Sequence, residues 1–223
     1  TRKYPAIIFN QSREAGDQIL HITNLGKNGL FKNFNLNVRK GDKIAFVSKN
    51  SMATTSLFQI LMDEIKPDEG EFTYGQTITP AYLPNENAHY VTADSVEKDE
   101  VYIRGFLGKM LFSGEEVFKK SNVLSGGEKV RCMTSRMMLA EGNLLILDEP
   151  TNHLDLESIT AFNNALKDFK GTVLFTTHDY EFANTVANRI IELTPNGCLD
   201  KEMTYEEFVQ SEKVKEQLEQ LYA

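Results

Sequence analysis

The sequence has only two cysteines, no long apolar run and no visible secretory leader, and each shortage excludes a class of protein. Cys132 and Cys198 lie far apart, with no metal-ligating partner at motif spacing. We therefore expect reduced thiols in a cytoplasmic protein rather than a disulfide framework or a zinc site. The longest apolar runs are about five residues, which is too short to span a membrane. Because the 223 residues begin at Thr1, we expect a piece of a longer chain.

The charge balance is also informative, because it shows no block of basic residues. Lys and Arg number 24 against 32 Asp and Glu, which gives a formal net charge of −8. This argues against a domain built mainly to bind the phosphate backbone of a nucleic acid. With 41% hydrophobic residues, the chain can form one large domain or two small ones with a real core.

The order of apolar segments predicts an α/β fold. Two all-apolar runs at 143–148 and 171–177, joined by a predicted helix over 158–169, are typical of a βαβ unit whose parallel strands are covered on both faces. The N-terminal part is β-rich and carries one helix over 55–65. Its strand candidates are 19–23, 34–38, 43–47, 71–75 and 78–83.

The rest of the chain is predicted to be mainly helical. Helices are expected over 101–111 and 126–142, with a short helix and a loop over 113–122. The charged tail, 203–223, also has a helical pattern. A solvated terminal helix and a docking helix are both open interpretations of the tail.

The first apolar run ends in two adjacent carboxylates, Asp148 and Glu149, within NLLILDEPTNHLD. At the tip of a strand, one carboxylate can hold Mg²⁺ while its neighbour faces an attacking water. A strand that ends in Asp-Glu-Pro is also common on protein surfaces. Taken alone, this motif leaves a structural role open.

Two further segments carry groups suited to phosphate chemistry. LSGGEK, residues 124–129, precedes a predicted helix, and its glycines let backbone amides approach an anion, although an ordinary helix cap is the simpler interpretation. TTHD, residues 176–179, ends the second apolar run, where His178 can donate to a phosphate or hold a water. A lone histidine at a strand end is more often structural.

In this order and on these elements, the three segments resemble the ATP-binding cassette superfamily. LLILDEP resembles its Walker B strand, NHLD its D-loop with Asp155, and THD its H-loop. LDEPTNHLD, the compact middle region and FLGKMLFSGEEVFKKSNVLSGGEKVRCM narrow the resemblance to the ABC-F subfamily, soluble proteins with two cassettes in one chain. The likeness extends from about Ile19 to Val209 and is best to a second cassette. The residues that resemble the signature loop are Leu124, Ser125, Gly126, Gly127 and Glu128.

The resemblance implies a P-loop NTPase-like ABC nucleotide-binding domain of α/β class, with an antiparallel β part and a small helical subdomain. Residues 1–18 would be the end of a linker between cassettes, and residues 19–201 the nucleotide-binding domain. The helical subdomain would lie at about 86–138, and residues 202–223 would form a C-terminal helical tail.

Where the family has its phosphate-binding loop, G-x-x-x-x-G-K-[ST], this chain reads SKNSMATTS. Thr54 replaces the lysine, and Ser51 and Ala53 replace glycines, so a charged donor is lost and Cβ atoms crowd the amide cradle. A hydrogen bond to a charged group is worth about 1.5–3 kcal/mol, so ATP affinity should fall about tenfold to more than a hundredfold. Only Thr55, the hydroxyl that would meet Mg²⁺, fits the motif.

The family's site residues can be carried over position by position. Glu149 and His178 are the implied catalytic residues, and Thr55 and Asp148 the implied Mg²⁺ ligands, with Asn85 as a further candidate in the place of the Q-loop glutamine. No aromatic residue near Gly26 could stack on adenine, and Phe31 is the nearest candidate. The implied nucleotide-binding residues are Ser48, Lys49, Asn50, Ser51, Met52, Ala53, Thr54, Thr55, Ser56, Asn85 and Asp148.

In this superfamily two cassettes sandwich two ATP molecules head to tail, and each site takes its signature loop from the opposite cassette. The resemblance therefore implies an ATPase with ATP and Mg²⁺ as ligands, the first cassette of the same full-length chain as partner, and two unequal sites. It also implies a cytoplasmic protein that acts on the ribosome through parts outside this chain and has no membrane partner. The isolated domain would be a monomer or weak dimer with weak or no activity.

The sequence also bears on three other classes of protein. NHLD and the short middle region count against the nucleotide-binding subunit of a transporter. A DNA-repair or chromosome-structuring ATPase head needs a long coiled-coil insertion, for which the segment 56–122 is too short. A non-hydrolysing pseudo-ATPase cassette stays open, as does the choice between tuning translation and protecting ribosomes from antibiotics.

Overall fold

The computed structural model describes residues 5–85, 107–112 and 123–223 and shows an α/β domain built on two sheets. The strands of these ranges are β1 (Gln18–Lys27), β2 (Phe31–Arg39), β3 (Lys43–Val47), β4 (Glu69–Tyr74), β5 (Pro80–Leu83), β6 (Leu144–Asp148), β7 (Thr172–Thr176), β8 (Arg189–Thr194) and β9 (Gly197–Lys201). The helices are α1 (Ser51–Leu61), α2 (Gly126–Ala140), α3 (Leu156–Asp168), α4 (Tyr180–Val186), α5 (Tyr205–Gln210) and α6 (Glu212–Tyr222).

A six-stranded sheet with the order β5-β6-β7-β3-β8-β9 forms the centre of the domain. Its strands are parallel except β9, which runs antiparallel to β8. Every residue of β6 and β7 is buried, which confirms that the two continuous apolar runs are central strands covered on both faces. Because β3, β6 and β7 are parallel neighbours or near neighbours, the segments that follow them meet at one edge of the sheet.

A smaller antiparallel sheet with the order β2-β1-β4 confirms the predicted antiparallel β part. Helix α1 packs its apolar face into a core shared by the two sheets. There the ring of Phe46 lies 5.4 Å from that of Phe58 and 6.5 Å from that of Phe34, both in edge-on geometry. Helix α1 is thus anchored by its middle turns against the core between the sheets.

The two sheets are also tied by a buried ion-pair network around Arg189, at the start of β8. Its guanidinium donates to Asp42 at 2.8 Å, to Asp200 at 2.6 Å and to the carbonyl oxygen of Asn37 at 3.0 Å. Since Arg189 is buried, its charge is compensated by two carboxylates rather than by water.

The structure differs from the sequence-based expectation in two respects, and a third expectation falls largely outside the described residues. Helix α1 begins at Ser51, four residues before the predicted start, and so includes most of the phosphate-loop segment. Strands β8 and β9 and helix α4 were not predicted. The helix and loop expected over 113–122 and much of the proposed helical subdomain lie outside the described residues; of the helix expected over 101–111, residues 107–109 are described and are helical.

The C-terminal tail packs against its own domain. In α6, Val214 is buried, and Leu218 and Leu221 lie against the main core cluster. The tail is thus helical, and one face of α6 packs on the domain while its other residues stay exposed or half-exposed, as expected for a solvated terminal helix. None of the helices in the described ranges combines the length and the apolar character that crossing a bilayer requires.

Candidate functional site

The carboxylate of Asp148 lies at the carboxyl end of β6 and is almost fully buried, at 2% exposure. It accepts hydrogen bonds from the hydroxyls of Thr55, at 2.7 Å, and Thr176, at 2.8 Å. Thr176 was not predicted to contact it, although the parallel register that pairs Asp148 with Thr176 brings the two together. Burial raises the pKa of Asp148, and the two hydroxyls partly offset this effect.

The oxygens of Thr55 and Asp148 fit a magnesium ion, because hydroxyl and carboxylate oxygens are the ligands that Mg²⁺ prefers. The two residues would hold such an ion at the start of α1, and a bound Mg²⁺ would neutralise phosphate charge. For Asn85, the further candidate, the structure gives one contact. Its side-chain oxygen lies 3.5 Å from the amide of Asn152, at the outer limit of a hydrogen bond and beside the D-loop segment.

Glu149 and His178 face each other at the same edge of the sheet. The imidazole Nε2 of His178 lies 3.3 Å from one carboxylate oxygen of Glu149, and the backbone N–H of His178 donates to the other at 3.2 Å. Burial raises the pKa of Glu149, while the adjacent His178 lowers it. The Glu149 side chain is 8% exposed against 79% for His178, so an acid–base pair opens to solvent on its imidazole side.

We expect Asp148→Asn to stabilise the domain at neutral pH. A buried acid whose pKa is raised holds its proton more tightly in the folded state, so the stability it contributes is present in acid and is lost as pH rises through the folded pKa. The neutral amide escapes this loss, and both threonine hydroxyls can rotate to suit it. Urea unfolding at neutral pH and in mild acid measures the effect, which should shrink as pH falls.

Asp68→Asn is the matched control with the opposite sign. The Asn28 amide and the Lys27 ammonium lower the pKa of Asp68, so its contribution is present at neutral pH and is lost as pH falls through the folded pKa. A loss of stability at neutral pH on Asp148→Asn, as in the control, would contradict the prediction.

The phosphate loop, residues 48–56, is closed by its own polar groups. Asn50 caps α1: its side-chain oxygen accepts from the N–H of Met52 at 3.1 Å, and its carbonyl oxygen accepts from the N–H of Ala53 at 2.9 Å. Ser48 Oγ accepts from the N–H of Asn50 at 3.2 Å, and the Tyr222 hydroxyl accepts from the N–H of Lys49 at 3.2 Å. Four of the five amides from 49 to 53 are therefore used inside the domain.

The backbone of this loop is helical from Ser51 onwards, where a phosphate cradle would continue. None of residues 48–55, all of which the structure describes, has a positive φ, the conformation for which glycines serve in phosphate loops. Thr54, in the place of the lysine, is 4% exposed and donates its hydroxyl to the carbonyl oxygen of Ser51 at 3.0 Å. Its hydroxyl proton is thus used within the helix and is not available to a phosphate. We call this arrangement the closed phosphate loop.

The signature loop has the opposite character. Ser125 caps α2 in a capping box, in which its Oγ accepts from the N–H of Glu128 at 3.3 Å and the Glu128 carboxylate accepts from the N–H of Ser125 at 2.7 Å. Gly126 and Gly127 follow as the first two helical residues, and helix geometry gives their amides no acceptor within the helix. These amides are suited to an anion.

Both glycines are also needed for close packing against His153 of the D-loop. A Cβ on Gly126 would lie 2.9 Å from the imidazole Cγ of His153, and a Cβ on Gly127 would lie 2.8 Å from its carbonyl oxygen. Asp155 fixes the other end of the D-loop, because its carboxylate accepts from the N–H of Ser158 at 2.8 Å and caps α3. The role of His153 was not predicted from the sequence.

One sequence-based candidate is wrong. Phe31, considered as a base-stacking residue, is 3% exposed, and its ring packs edge-on against Phe34 at 6.3 Å. Its faces are buried in the core, so the ring is not available to a nucleotide.

Comparisons with known proteins agree with this geometry. A family model described as "ABC transporter" matches residues 31–152. Over a 239-residue alignment, the chain is 48% identical to an uncharacterized ABC transporter ATP-binding protein, YkpA, of Bacillus subtilis, covering 100% of this chain and 44% of that protein. It is 32% identical to ABC transporter F family member 5 of Arabidopsis thaliana, covering 89% of this chain and 31% of that protein.

Two further similarities bear on activity and assembly. The chain is 28% identical to the energy-dependent translational throttle protein EttA of Escherichia coli, covering 83% of this chain and 36% of that protein. A dimeric ATP-binding cassette in a post-hydrolysis state, bound to ADP and phosphate, superposes with a TM-score of 0.67 at 18% identity, covering 83% of this chain and 99% of that one. The chain spans less than half the length of these three curated relatives.

Proposed function

This chain belongs to the ABC transporter family of ATP-binding domains, and we propose that it is one cassette of an ABC-F type ATPase that lends its signature loop to an ATP site on a partner cassette. Cassettes of this family are generally ATPases and bind ATP. In our proposal this domain's own nucleotide site is weak or slow, and the productive site combines LSGGE from here with the phosphate loop of the partner.

The contrast between two helix N-termini carries this proposal. At α1 the N–H groups of Met52 and Ala53 donate to Asn50, so this end of the helix has few free N–H groups with which to bind an anion. At α2 the capping box leaves the amides of Gly126 and Gly127 available. The same domain thus has a closed anion site where its own phosphates would bind and an open one in its signature loop.

In our proposal, the polar residues at the carboxyl ends of β6 and β7 preserve either slow ATP turnover or the geometry of the two-cassette sandwich. Glu149 and His178 keep a carboxylate–imidazole pair in place, and Asp148 keeps its contact with Thr55. If a nucleotide enters, Glu149 would orient or deprotonate an attacking water and His178 would contact the terminal phosphate. The closed phosphate loop also favours a non-hydrolysing cassette, which differs from our first proposal only in whether this site turns over.

The partner in this proposal is a first cassette in the same full-length chain. The structural neighbour in dimeric form and the greater length of the curated relatives support a two-cassette assembly. The name "F family member" of one relative supports the ABC-F assignment, and "translational throttle" of another supports a role in translation. We extend this to a cytoplasmic protein that acts on the ribosome. The isolated domain would then be a monomer or a weak dimer.

The first test is a calorimetric titration of the purified domain with Mg-ATP. Because the loop amides are occupied and the lysine is missing, we expect no saturable binding below millimolar nucleotide. Tight binding at low micromolar ATP would show that the closed phosphate loop opens readily, and the proposal of a weak site would then be wrong. ADP without Mg²⁺ serves as the comparison ligand, since it lacks the terminal phosphate.

A further inference from the structure

The C-terminal helix α6 reaches the phosphate loop through a single tyrosine. The hydroxyl of Tyr222 accepts from the N–H of Lys49 at 3.2 Å and donates to the carboxylate of Glu192, in β8, at 2.8 Å. Burial raises the pKa of Tyr222 to about 12, so the hydroxyl keeps its proton and its donor role at neutral pH. The backbone nitrogen of Lys49 and a carboxylate oxygen of Glu192, on separate elements, are thus both hydrogen-bonded to the Tyr222 hydroxyl.

The side chain of Lys49 is held by the same tyrosine. Its ammonium nitrogen lies 3.8 Å from the centroid of the Tyr222 ring, a cation–π contact. Lys49 is the one cationic residue in the sequence 48–56, so the loop's positive charge lies against α6. Thr54 supplies no charge in its place.

The position of Tyr222 is fixed by the packing of its helix. Ser211 caps α6, accepting from the N–H of Val214 at 3.3 Å, and Val214 itself is buried in the core. Leu218 and Leu221 pack against the same core one and two turns later. Because these residues hold α6 against the core, the last turn of the helix places the Tyr222 hydroxyl beside the loop.

We propose that Tyr222 is a positioning residue that restrains the phosphate loop, because it holds both the amide and the ammonium of Lys49 against α6 and away from any bound anion. The proposal rests on the proposed function of the loop as a weakened ATP site. It assigns the C-terminal helix an inhibitory contact with that site. Release of Tyr222 makes one amide and one cation available to the phosphates of a nucleotide.

The test is Tyr222→Phe, with Tyr205→Phe as the matched control. Tyr205 lies in the preceding helix, and its ring packs at a tilted angle on that of Tyr180, with the ring centroids 5.5 Å apart. Tyr205→Phe therefore removes a hydroxyl from the tail and leaves the contacts of Lys49 with Tyr222 in place. In ¹⁵N-labelled protein, amide hydrogen exchange at Lys49 should become about two- to tenfold faster in Tyr222→Phe, as loss of one hydrogen bond implies, and stay unchanged in Tyr205→Phe. Unchanged exchange at Lys49 in both variants would overturn the proposal.

A second measurement separates restraint from mere structural support. In a background with Ser51→Gly, Ala53→Gly and Thr54→Lys, Tyr222→Leu, which removes both the hydroxyl and the ring that faces the Lys49 ammonium, should raise Mg-ATP affinity about two- to tenfold. Adding Lys49→Met should remove the part of that gain that the released ammonium supplies. A fall in affinity on Tyr222→Leu, or an equal gain in the presence of Lys49→Met, would refute the restraint. If the background variant itself fails to bind ATP, the proposed function fails, whereas the exchange experiment in the otherwise unmodified protein still decides the role of Tyr222.

Discussion

The triple variant Ser51→Gly, Ala53→Gly, Thr54→Lys is expected to bind Mg-ATP about a hundredfold more tightly than the unmodified domain, since a hydrogen bond to a charged group is worth about 1.5–3 kcal/mol and recovered backbone amides add to it. The two glycines allow positive φ and should shorten α1 at its N-terminal end, which releases the amides now held by Asn50. Isothermal calorimetry on both proteins measures the ratio of dissociation constants.

The control variant combines Ser51→Gly and Ala53→Gly with Thr54→Met in place of Thr54→Lys. It opens the backbone equally but supplies no charge, so the difference between the two variants isolates the lysine. Equal and tight binding by all three proteins would mean that the closed phosphate loop does not limit affinity and that the unmodified domain is a working ATP site. Equal absence of binding would mean that restoring the motif does not restore the site, and the proposed function would then fail.

Gly127→Ala, in a protein that carries both cassettes, is expected to reduce steady-state ATP hydrolysis about a hundredfold, the scale on which loss of an aligned backbone donor acts. A Cβ at this position would meet the carbonyl oxygen of His153 at 2.8 Å, and a backbone atom cannot turn aside as a flexible side chain can. The signature loop must therefore shift, and its backbone N–H groups would no longer point at the nucleotide of the partner cassette.

Two comparisons make this result specific. Gly108→Ala is the control for the substitution itself, because a Cβ there meets nothing within 4 Å. Glu149→Gln in this cassette should reduce hydrolysis far less than Gly127→Ala, since our proposal places the productive site on the partner's phosphate loop. Full activity in Gly127→Ala, or complete loss in Glu149→Gln, would reverse the assignment of the two sites.

The edge of the central sheet is the part of the site that the sequence predicts well. Continuous apolar runs before Asp148 and Thr176 mark central parallel strands, and the carboxyl ends of such strands meet at one edge. The contact between Thr55 and Asp148 follows from the same reasoning, because α1 begins where β3 ends. The pattern of apolar residues and the order of the strands thus determine which side chains face each other.

The closed phosphate loop was harder to predict, because motif position and local propensity compete there. The motif places an anion cradle at residues 48–55, whereas Ser51 and Ala53, which replace glycines, allow the helix to extend, and Asn50 is a strong N-cap. Tyr222 lies 173 residues from Lys49 along the chain, and no local pattern relates the two. Only the packing of α6 brings them together.

Glu149 and His153 both have left-handed backbones, with φ values of 52° and 65°. This conformation costs a non-glycine residue on the order of 1 kcal/mol or more, and glycine and asparagine adopt it most readily. Glycine or asparagine at either position would relieve this strain, so the folded domain keeps its glutamate and histidine at a cost in its own stability.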